Sequence, residues 1–158
     1  MIRIGQSTDI HRLKAGKRLI IGGIEIESEF GCVAHSDGDC LTHAIAEAIL
    51  GALALGDLGT HFPDSDEQYK NLSSLVILKE IYDMMESHGF KIGNIDSTVL
   101  LEEPKLNALI PSMRKTLSEV LKIEISRINI KATTGEKVGI VGRKEAIVCE
   151  AVVVLEEA

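Results

Sequence analysis

The sequence predicts a single α+β domain over residues 1–158, with helices packed on one face of a mixed β-sheet and a small β-hairpin beside it. Three observations support this fold class. The length of 158 residues suits one hydrophobic core. Apolar residues make up 45% of the chain and charged residues 26%, which is a normal balance for a globular protein. A hairpin signal near the N-terminus is followed by helical and strand patterns in alternation.

The N-terminal part of the chain has the pattern of extended structure. Alternating apolar residues predict a strand over residues 2–10. Two further apolar runs within residues 18–27 meet at Gly22 and Gly23. Because both glycines can adopt the positive φ angles of a tight primed turn, this stretch predicts a two-residue hairpin.

A helix follows the hairpin. Residues 40–55 are rich in Ala and Leu, which favour helices, and Gly56 stands where a helix would end. Either Asp37 or Asp39 could cap the N-terminus of this helix.

The remaining pattern predicts two more helices, three more strands and one unusual charge. The helices lie over residues 72–88 and 106–121, with Pro111 near the first turn of the second, and the strands lie over residues 96–101, 128–133 and 146–155. Glu150 interrupts the nearly apolar last strand. It therefore lies on a solvated face or points to the axis of an oligomer, and the solvated face is the simpler interpretation.

Charge and composition exclude several classes of partner. The net charge of −7 argues against a nucleic-acid backbone, although a small polyanion could bind where local cations or metal ions receive it. No apolar run is long enough to span a membrane, and the N-terminus lacks a signal-peptide pattern. The three cysteines show no paired spacing and suit free thiols. We expect a cytoplasmic protein, or an organelle protein without its transit peptide.

Asp9, His11 and His43 are candidate metal ligands. Side chains two apart on a strand point to the same side, so Asp9 and His11 can reach a common point, and His43 on the first helix could join them. One carboxylate and two imidazoles with an open position are typical of catalytic zinc. Taken singly, each residue could equally be an ordinary structural one. Glu47, one helical turn after His43, could orient that imidazole or simply face water.

Polar clusters elsewhere favour a phosphorylated ligand. His35 and Ser36 precede a helix N-terminus, where anions are favoured. The stretch GDLGTHFPDSD (56–66) is a polar loop that could bind hydroxyl groups or a hydrated metal, or simply connect two elements. The stretch KATTGEKVGIVGR (131–143) offers hydroxyls, backbone amides and cations for phosphate oxygens, and Glu136 within it could hold Mg²⁺. No Walker A, nucleophile-elbow or dinucleotide motif is present.

Together these stretches resemble the 2-C-methyl-D-erythritol 2,4-cyclodiphosphate synthase family of the non-mevalonate isoprenoid pathway. The resemblance covers nearly the whole chain. It rests on the D-x-H of residues 9–11, AHSDGD…H of 34–43, GDLGTHFPDSD of 56–66, EEPKL of 102–106 and KATTGEKVG…GR of 131–143. Five loose motifs in this order and spacing form a specific signature.

The resemblance implies a metal-assisted lyase reaction. The substrate would be 4-diphosphocytidyl-2-C-methyl-D-erythritol 2-phosphate, whose 2-phosphate attacks the β-phosphorus of its own diphosphate. The products would be 2-C-methyl-D-erythritol 2,4-cyclodiphosphate and CMP.

The resemblance also implies roles for individual residues. Asp9, His11 and His43 match zinc ligands, and Glu136 matches the ligand of Mg²⁺ or Mn²⁺. His35 and Thr134 match catalytic residues that stabilise the transition state. The substrate would be contacted by residues of all five motifs: Asp9, His11, His35, Ser36, Asp57, Leu58, Gly59, Phe62, Pro63, Asp64, Ser65, Asp66, Leu101, Glu102, Glu103, Pro104, Lys105, Leu106, Asn107, Thr133, Thr134, Gly135, Glu136, Ile140 and Arg143.

A homotrimer is the assembly that the resemblance implies. Active sites would lie between subunits, with Arg143 and Glu150 around a central cavity that could hold an isoprenoid diphosphate. Two residues depart from the family pattern: Glu47 replaces an expected Asp near the zinc-binding histidine, and Ile140 replaces a frequent aromatic near the cavity.

Two other functions stay open at this point. One is a metal-dependent phosphohydrolase that uses water as the nucleophile on the same residues. The other is a non-catalytic trimeric module that binds a metal or nucleotide.

Overall fold

The computed structural model describes residues 1–158 and contains a five-stranded sheet, a two-stranded hairpin and five α-helices. The strands are β1 (Ile2–Ala15), β2 (Leu19–Ile21), β3 (Ile24–Ile26), β4 (Phe30–Cys32), β5 (Phe90–Leu100), β6 (Ile128–Thr133) and β7 (Ala146–Glu157). The helices are α1 (Cys40–Leu53), α2 (Leu58–His61), α3 (Ser74–Ser87), α4 (Ile110–Val120) and α5 (Gly139–Gly142).

The main sheet is mixed, which confirms the predicted α+β class. Its strand order is β4-β1-β7-β5-β6. The central strand β7 pairs antiparallel with β1 and β5, whereas β5 and β6 are parallel. The strands β2 and β3 form the predicted hairpin outside this sheet, and Gly22 and Gly23 have φ angles of 58° and 77° as the primed turn requires.

The helices lie against one face of the sheet. Helix α1 packs on β1 and β7, while α3 and α4 contact β5 and β6 respectively. The approach of α1 is close at Gly5, where an added Cβ atom would lie only 1.8 Å from the carbonyl oxygen of Ala48. Gly5 therefore sets the distance between the strand that carries Asp9 and the helix that carries His43.

The opposite face of the sheet carries no helix. Ile2, Ile4 and Ile10 on β1 expose 68%, 69% and 55% of their surface, and Val152 on β7 exposes 42%. Glu150 lies in the middle of this open face, paired in register with Thr8 on one side and Thr98 on the other. The charge that interrupts the last strand thus avoids the core.

The two candidate caps of α1 have separate functions, so only one prediction is right. The Asp39 carboxylate accepts hydrogen bonds from the Thr42 amide and hydroxyl at α1, and from the Gly22 and Gly23 amides of the hairpin. Burial raises the pKa of Asp39, while the Thr42 and Gly23 donors lower it. Asp37 instead accepts from the amide of Ser74 at α3. Asp37 therefore joins α3 to the loop before α1.

Several predicted boundaries are wrong. Helix α1 ends at Leu53, because Ala54, two residues before Gly56, already adopts the left-handed conformation of a C-cap. Helix α4 begins at Ile110 and not at residue 106, because Pro111 lacks an amide hydrogen and suits the first turn. Strand β1 continues to Ala15, beyond the predicted residues 2–10, whereas β5 begins six residues before the predicted 96–101 and ends one residue short of it.

Three of the named strands and helices were not predicted, and two other expectations agree with the structure. The short strand β4 has only a three-residue pairing with β1, α2 lies within the predicted loop 56–66, and α5 lies within the stretch 131–143. All three cysteines are free, as expected, and the structure buries them. Every helix is too short or too polar to span a lipid bilayer.

Candidate active site

Asp9, His11 and His43 meet at one point. Asp9 and His11 alternate onto the same side of β1, and His43 reaches them from the first turns of α1. The Nδ1 atoms of His11 and His43 lie 3.6 and 3.5 Å from Oδ2 of Asp9. The three side chains expose only 13%, 12% and 25% of their surface, in the order His11, His43, Asp9.

This triad fits a divalent metal ion. One ligand atom from each residue lies within 4.8 Å of the others. Oδ2 of Asp9 and Nδ1 of His11 are buried without any hydrogen-bond partner. Because unsatisfied buried polar atoms are costly, a bound cation would account for them. Two imidazoles and a carboxylate suit a catalytic zinc site with an open position.

The triad is also an electrostatically coupled group. Burial disfavours the protonated forms of both histidines, but neighbouring acceptors outweigh it. Contact with Cys40 and the charge of Asp9 raise the pKa of His11. The nearby Asp9 carboxylate raises the pKa of His43. The carboxylate therefore attracts positive charge to this point, whether a proton or a metal ion.

The second ring nitrogen of His43 faces two hydroxyl groups. Its Nε2 lies 2.7 Å from Oγ of Ser74 and 3.2 Å from Oγ of Ser36. Ser74 is fully buried, and its hydroxyl also donates a hydrogen bond to Asp37. The triad is thus connected to the N-terminus of α3.

Glu47 has neither of its two predicted roles. It makes no hydrogen bond to His43 and it does not simply face water. Instead its carboxylate accepts a hydrogen bond of 2.8 Å from the Ser7 hydroxyl and one of 3.2 Å from the Leu58 amide. Because Ser7 precedes Asp9 on β1 and Leu58 begins α2, Glu47 joins the metal-ligand strand to the loop 56–66.

A cavity of about 330 Å³ opens beside the triad. It contains eight residues that were expected to bind substrate, namely Asp9, His11, His35, Ser36, Leu58, Gly59, Phe62 and Asp64. His35 Nε2 lies 3.3 Å from the Asp66 carbonyl oxygen, so the imidazole is held against this loop. We refer to this cavity as the first cavity.

Other residues of loop 56–66 support the loop's shape. Asp57 caps α2 by accepting bonds from the Thr60 amide and hydroxyl, which lower the pKa of Asp57. Asp66 caps a 3₁₀ turn at residues 67–69. Asp57, Pro63, Ser65 and Asp66 do not line the first cavity. Their predicted substrate contacts stay predictions.

A second cavity of about 280 Å³ gathers most of the remaining predicted contacts. We refer to it as the second cavity, and it is lined by Leu101, Glu102, Pro104, Lys105, Leu106, Asn107, Ala132, Thr133, Thr134 and Glu136. Glu103 lies outside it and pairs with Lys144 at 2.9 Å.

Glu102 shapes the loop beside the second cavity. Its carboxylate accepts the amides of Gly135 and Lys137 at 2.8 and 3.1 Å, so these amides are not free for a phosphate. The exposed side chain of Glu136 stands between them on a backbone with φ of 53°. Glu136 and Lys137, both with positive φ, form a turn at the edge of the second cavity, and the predicted role of Glu136 as a cation ligand stays a prediction.

The first and second cavities share no lining residue. His35 and Thr134, which were expected to act on one transition state, line different cavities. Ile140 and Arg143 line neither, and Arg143 pairs with Glu145 at 3.0 Å. Within one chain, the predicted site residues therefore form two separate groups.

Sequence reasoning missed several residues of the first cavity and its support. Tyr69 and Ile77 line the cavity, Ser7 anchors Glu47, and Ser74 contacts His43. The only available signal for Ser74 was its place near the start of a predicted helix, where serine is an ordinary capping residue.

The chain is similar to known proteins over nearly its whole length. The model of the YgbB family matches residues 2–156. The 2-C-methyl-D-erythritol 2,4-cyclodiphosphate synthase of Syntrophomonas wolfei is 48% identical over 157 residues, which cover 99% of this chain and 100% of that relative.

Solved structures agree with the sequence match. The bifunctional IspDF of Campylobacter jejuni superposes with a TM-score of 0.96 at 39% identity, covering 100% of this chain and 43% of that longer one. The CDP complex of IspF from Plasmodium falciparum superposes with a TM-score of 0.87 at 37% identity, covering 99% and 96% of the two chains.

Proposed function

This chain belongs to the YgbB family, and we propose that it converts 4-diphosphocytidyl-2-C-methyl-D-erythritol 2-phosphate into 2-C-methyl-D-erythritol 2,4-cyclodiphosphate and CMP. The single observation that carries the proposal is the buried Asp9–His11–His43 triad with two unpartnered ligand atoms, which opens on a cavity of matching motif residues. The reaction is inferred from the relatives named above, and the triad is the site where we propose that it takes place.

The chain's own residues would hold two cations. Asp9, His11 and His43 would bind zinc or another divalent transition metal, and Glu136 would bind Mg²⁺ or Mn²⁺. When bound, such cations neutralise phosphate charge and polarise the phosphorus that is attacked. This provision matters because a protein of net charge −7 would otherwise repel a substrate with several phosphates.

The protein's further contribution is to fold the substrate. The attack is intramolecular: an oxygen of the 2-phosphate forms a bond to the β-phosphorus while the bond to the CMP oxygen breaks. No covalent protein nucleophile is needed, so positioning is the main requirement. His35 and Ser36 in the first cavity, with Asp64, would contact the erythritol part of the substrate. Thr133 and the 101–107 segment in the second cavity would hold the cytidine diphosphate.

We propose that a complete active site joins the first cavity of one subunit to the second cavity of its neighbour in a homotrimer. Two observations support this. The residues expected to act on one transition state lie in separate cavities of the chain. The open sheet face with Ile2, Ile4, Ile10 and Val152 offers an apolar surface for subunit contacts.

Two finer proposals concern the setting of the enzyme. Three free cysteines suit a reducing compartment, and we propose the cytoplasm. An isoprenoid diphosphate could occupy a central cavity near Arg143 and Glu150, but the Ile140 departure offers such a ligand no aromatic contact.

Phosphorus NMR of the purified, metal-loaded protein with the cytidyl substrate tests the function. We expect the cyclic diphosphate and CMP to appear together and to be lost when a chelator is added. CMP with an open-chain phosphate product would indicate the phosphohydrolase instead. Metal binding without turnover, in protein with verified fold, would indicate the binding module.

A further inference from the structure

We propose that Ser74 and Asp37 are positioning residues that fix the tautomer of His43, so that its Nδ1 atom is the metal ligand. This inference rests on the metal centre of the proposed function. The observation that supports it is a series of hydrogen bonds from His43 to Ser74 and from Ser74 to Asp37. None of the sequence motifs considered above predicts a role for Ser74.

The acceptor at the end of this chain is well defined. Oδ2 of Asp37 accepts the Ser74 amide at 3.0 Å. Its Oδ1 accepts the Asp39 amide at 3.1 Å and also the Ser74 hydroxyl. Three donors converge on this carboxyl group, which is the arrangement expected of an acceptor-only carboxylate.

The proton assignment follows from the single proton of a hydroxyl group. Because the Ser74 hydroxyl donates to Asp37, it can only accept from His43. Nε2 of His43, at 2.7 Å from Oγ of Ser74, must therefore carry the hydrogen. In a neutral imidazole the other nitrogen then has a free lone pair. That nitrogen is Nδ1, which points at Asp9.

The arrangement is rigid because every part of it is anchored. Ser74 is fully buried in the first turn of α3. The Asp37 carboxylate accepts hydrogen bonds from both the backbone amide and the side-chain hydroxyl of Ser74. The Ser36 hydroxyl at 3.2 Å is a more distant partner of Nε2 and itself accepts the Gly38 amide. A carboxylate that acts through a hydroxyl can thereby orient a metal-binding imidazole and increase its basicity.

Zinc affinity, measured by competition with a chelator, tests the proposal without using activity. Ser74→Ala should bind zinc roughly 10-fold to 100-fold more weakly than the wild type. Asp37→Asn should also weaken zinc binding, although Asp37 does not touch the imidazole. Ser73→Ala is the matched control, because the exposed Ser73 hydroxyl makes no capping bond one residue earlier, and it should bind zinc as the wild type does.

Nitrogen NMR of histidine-labelled, metal-free protein in mildly alkaline buffer gives a second readout. We expect the His43 signals, identified by their loss in His43→Ala, to show hydrogen on Nε2 alone in the wild type and in Ser73→Ala. Ser74→Ala should show a mixture of tautomers. A variant could bind zinc poorly only because it is misfolded. The tautomer of His43 in the wild type is measured without any variant of Ser74, so the proposal can still be tested in that case.

The outcomes separate this proposal from the proposed function. Hydrogen on Nδ1 in the wild type, or unchanged zinc affinity and tautomer in Ser74→Ala, would overturn the positioning role even if zinc binds and turnover proceeds. Hydrogen on Nε2 in a wild type that binds no zinc would support the positioning of His43 and reject the zinc centre.

Discussion

Asp9 is the residue that both histidines of the triad share, and its Oδ2 atom has no other partner. Replacing a ligand should therefore empty the site without unfolding the core. We expect His43→Ala to lose bound zinc and turnover while its circular dichroism stays that of the wild type. Elemental analysis of zinc per subunit and a CMP-release assay measure this. His88→Ala, an exposed histidine after α3, is the control and should keep both zinc and activity.

Full activity in zinc-free His43→Ala protein would contradict the role of the triad. The triad could be predicted from sequence because strand alternation alone brings Asp9 and His11 together. The roles of Asp37 and Glu47 could not be predicted in the same way. Their partners, Ser74 and Leu58, lie 37 and 11 residues away and approach only when the helices pack.

At the scale of elements, Glu47 connects α1 to both β1 and α2. Glu47→Ala should release the Leu58 amide, so hydrogen exchange in residues 57–62 should become faster and KM should rise more than kcat falls. Glu47→Gln can keep one of the two hydrogen bonds and should lie between Glu47→Ala and the wild type. Exchange mass spectrometry measures the first effect. Unchanged exchange in Glu47→Ala would show that Glu47 does not hold the loop.

The contact of α1 with β1 depends on the missing side chain of Gly5. Gly5→Ala would force a methyl group against the Ala48 carbonyl, and we expect a loss of about 1–3 kcal/mol in unfolding free energy. The control is Gly51→Ala on the exposed side of α1, where nothing lies within 4 Å of the new methyl group. It should stabilise the protein by roughly 0.5–1 kcal/mol. Urea unfolding curves measure the unfolding free energy of both variants. Equal unfolding free energies for Gly5→Ala and Gly51→Ala would contradict the close approach of α1 to β1 at Gly5.

Helices and strands with a strong pattern in their own sequence could be predicted. Those that form only through contacts with other parts of the chain could not. The Gly22–Gly23 hairpin and the Ala-rich α1 carry their own signals. The strand β4 has three residues and exists only because β1 pairs with it, and α2 depends on the Asp57 cap within a sequence rich in turn residues. The predicted start of α4, at residue 106, was too early because the apolar periodicity begins before the helix does. Pro111 marks the true first turn.

At the scale of the whole molecule, the first and second cavities share no lining residue, and one face of the sheet carries no helix. Sequence patterns placed Glu150 on an outward face but could not relate the two cavities. The alternation of apolar and polar residues along a strand indicates which side chains are buried. It gives no information about the residues that another subunit would contribute to a site. The central claim is therefore that two cavities on neighbouring subunits form one cyclising site.

Mixing two impaired variants tests this claim most directly. His43→Ala damages the first cavity and Thr134→Ala the second, and each protein alone should release CMP slowly. If neighbouring subunits share sites, refolding the two variants together should restore up to about a quarter of wild-type activity, because one site in four would then have both intact sides. Mixing His43→Ala with Asp9→Ala, which damage the same cavity, should restore none. Mixed oligomers of His43→Ala and Thr134→Ala that regain no activity would contradict the account.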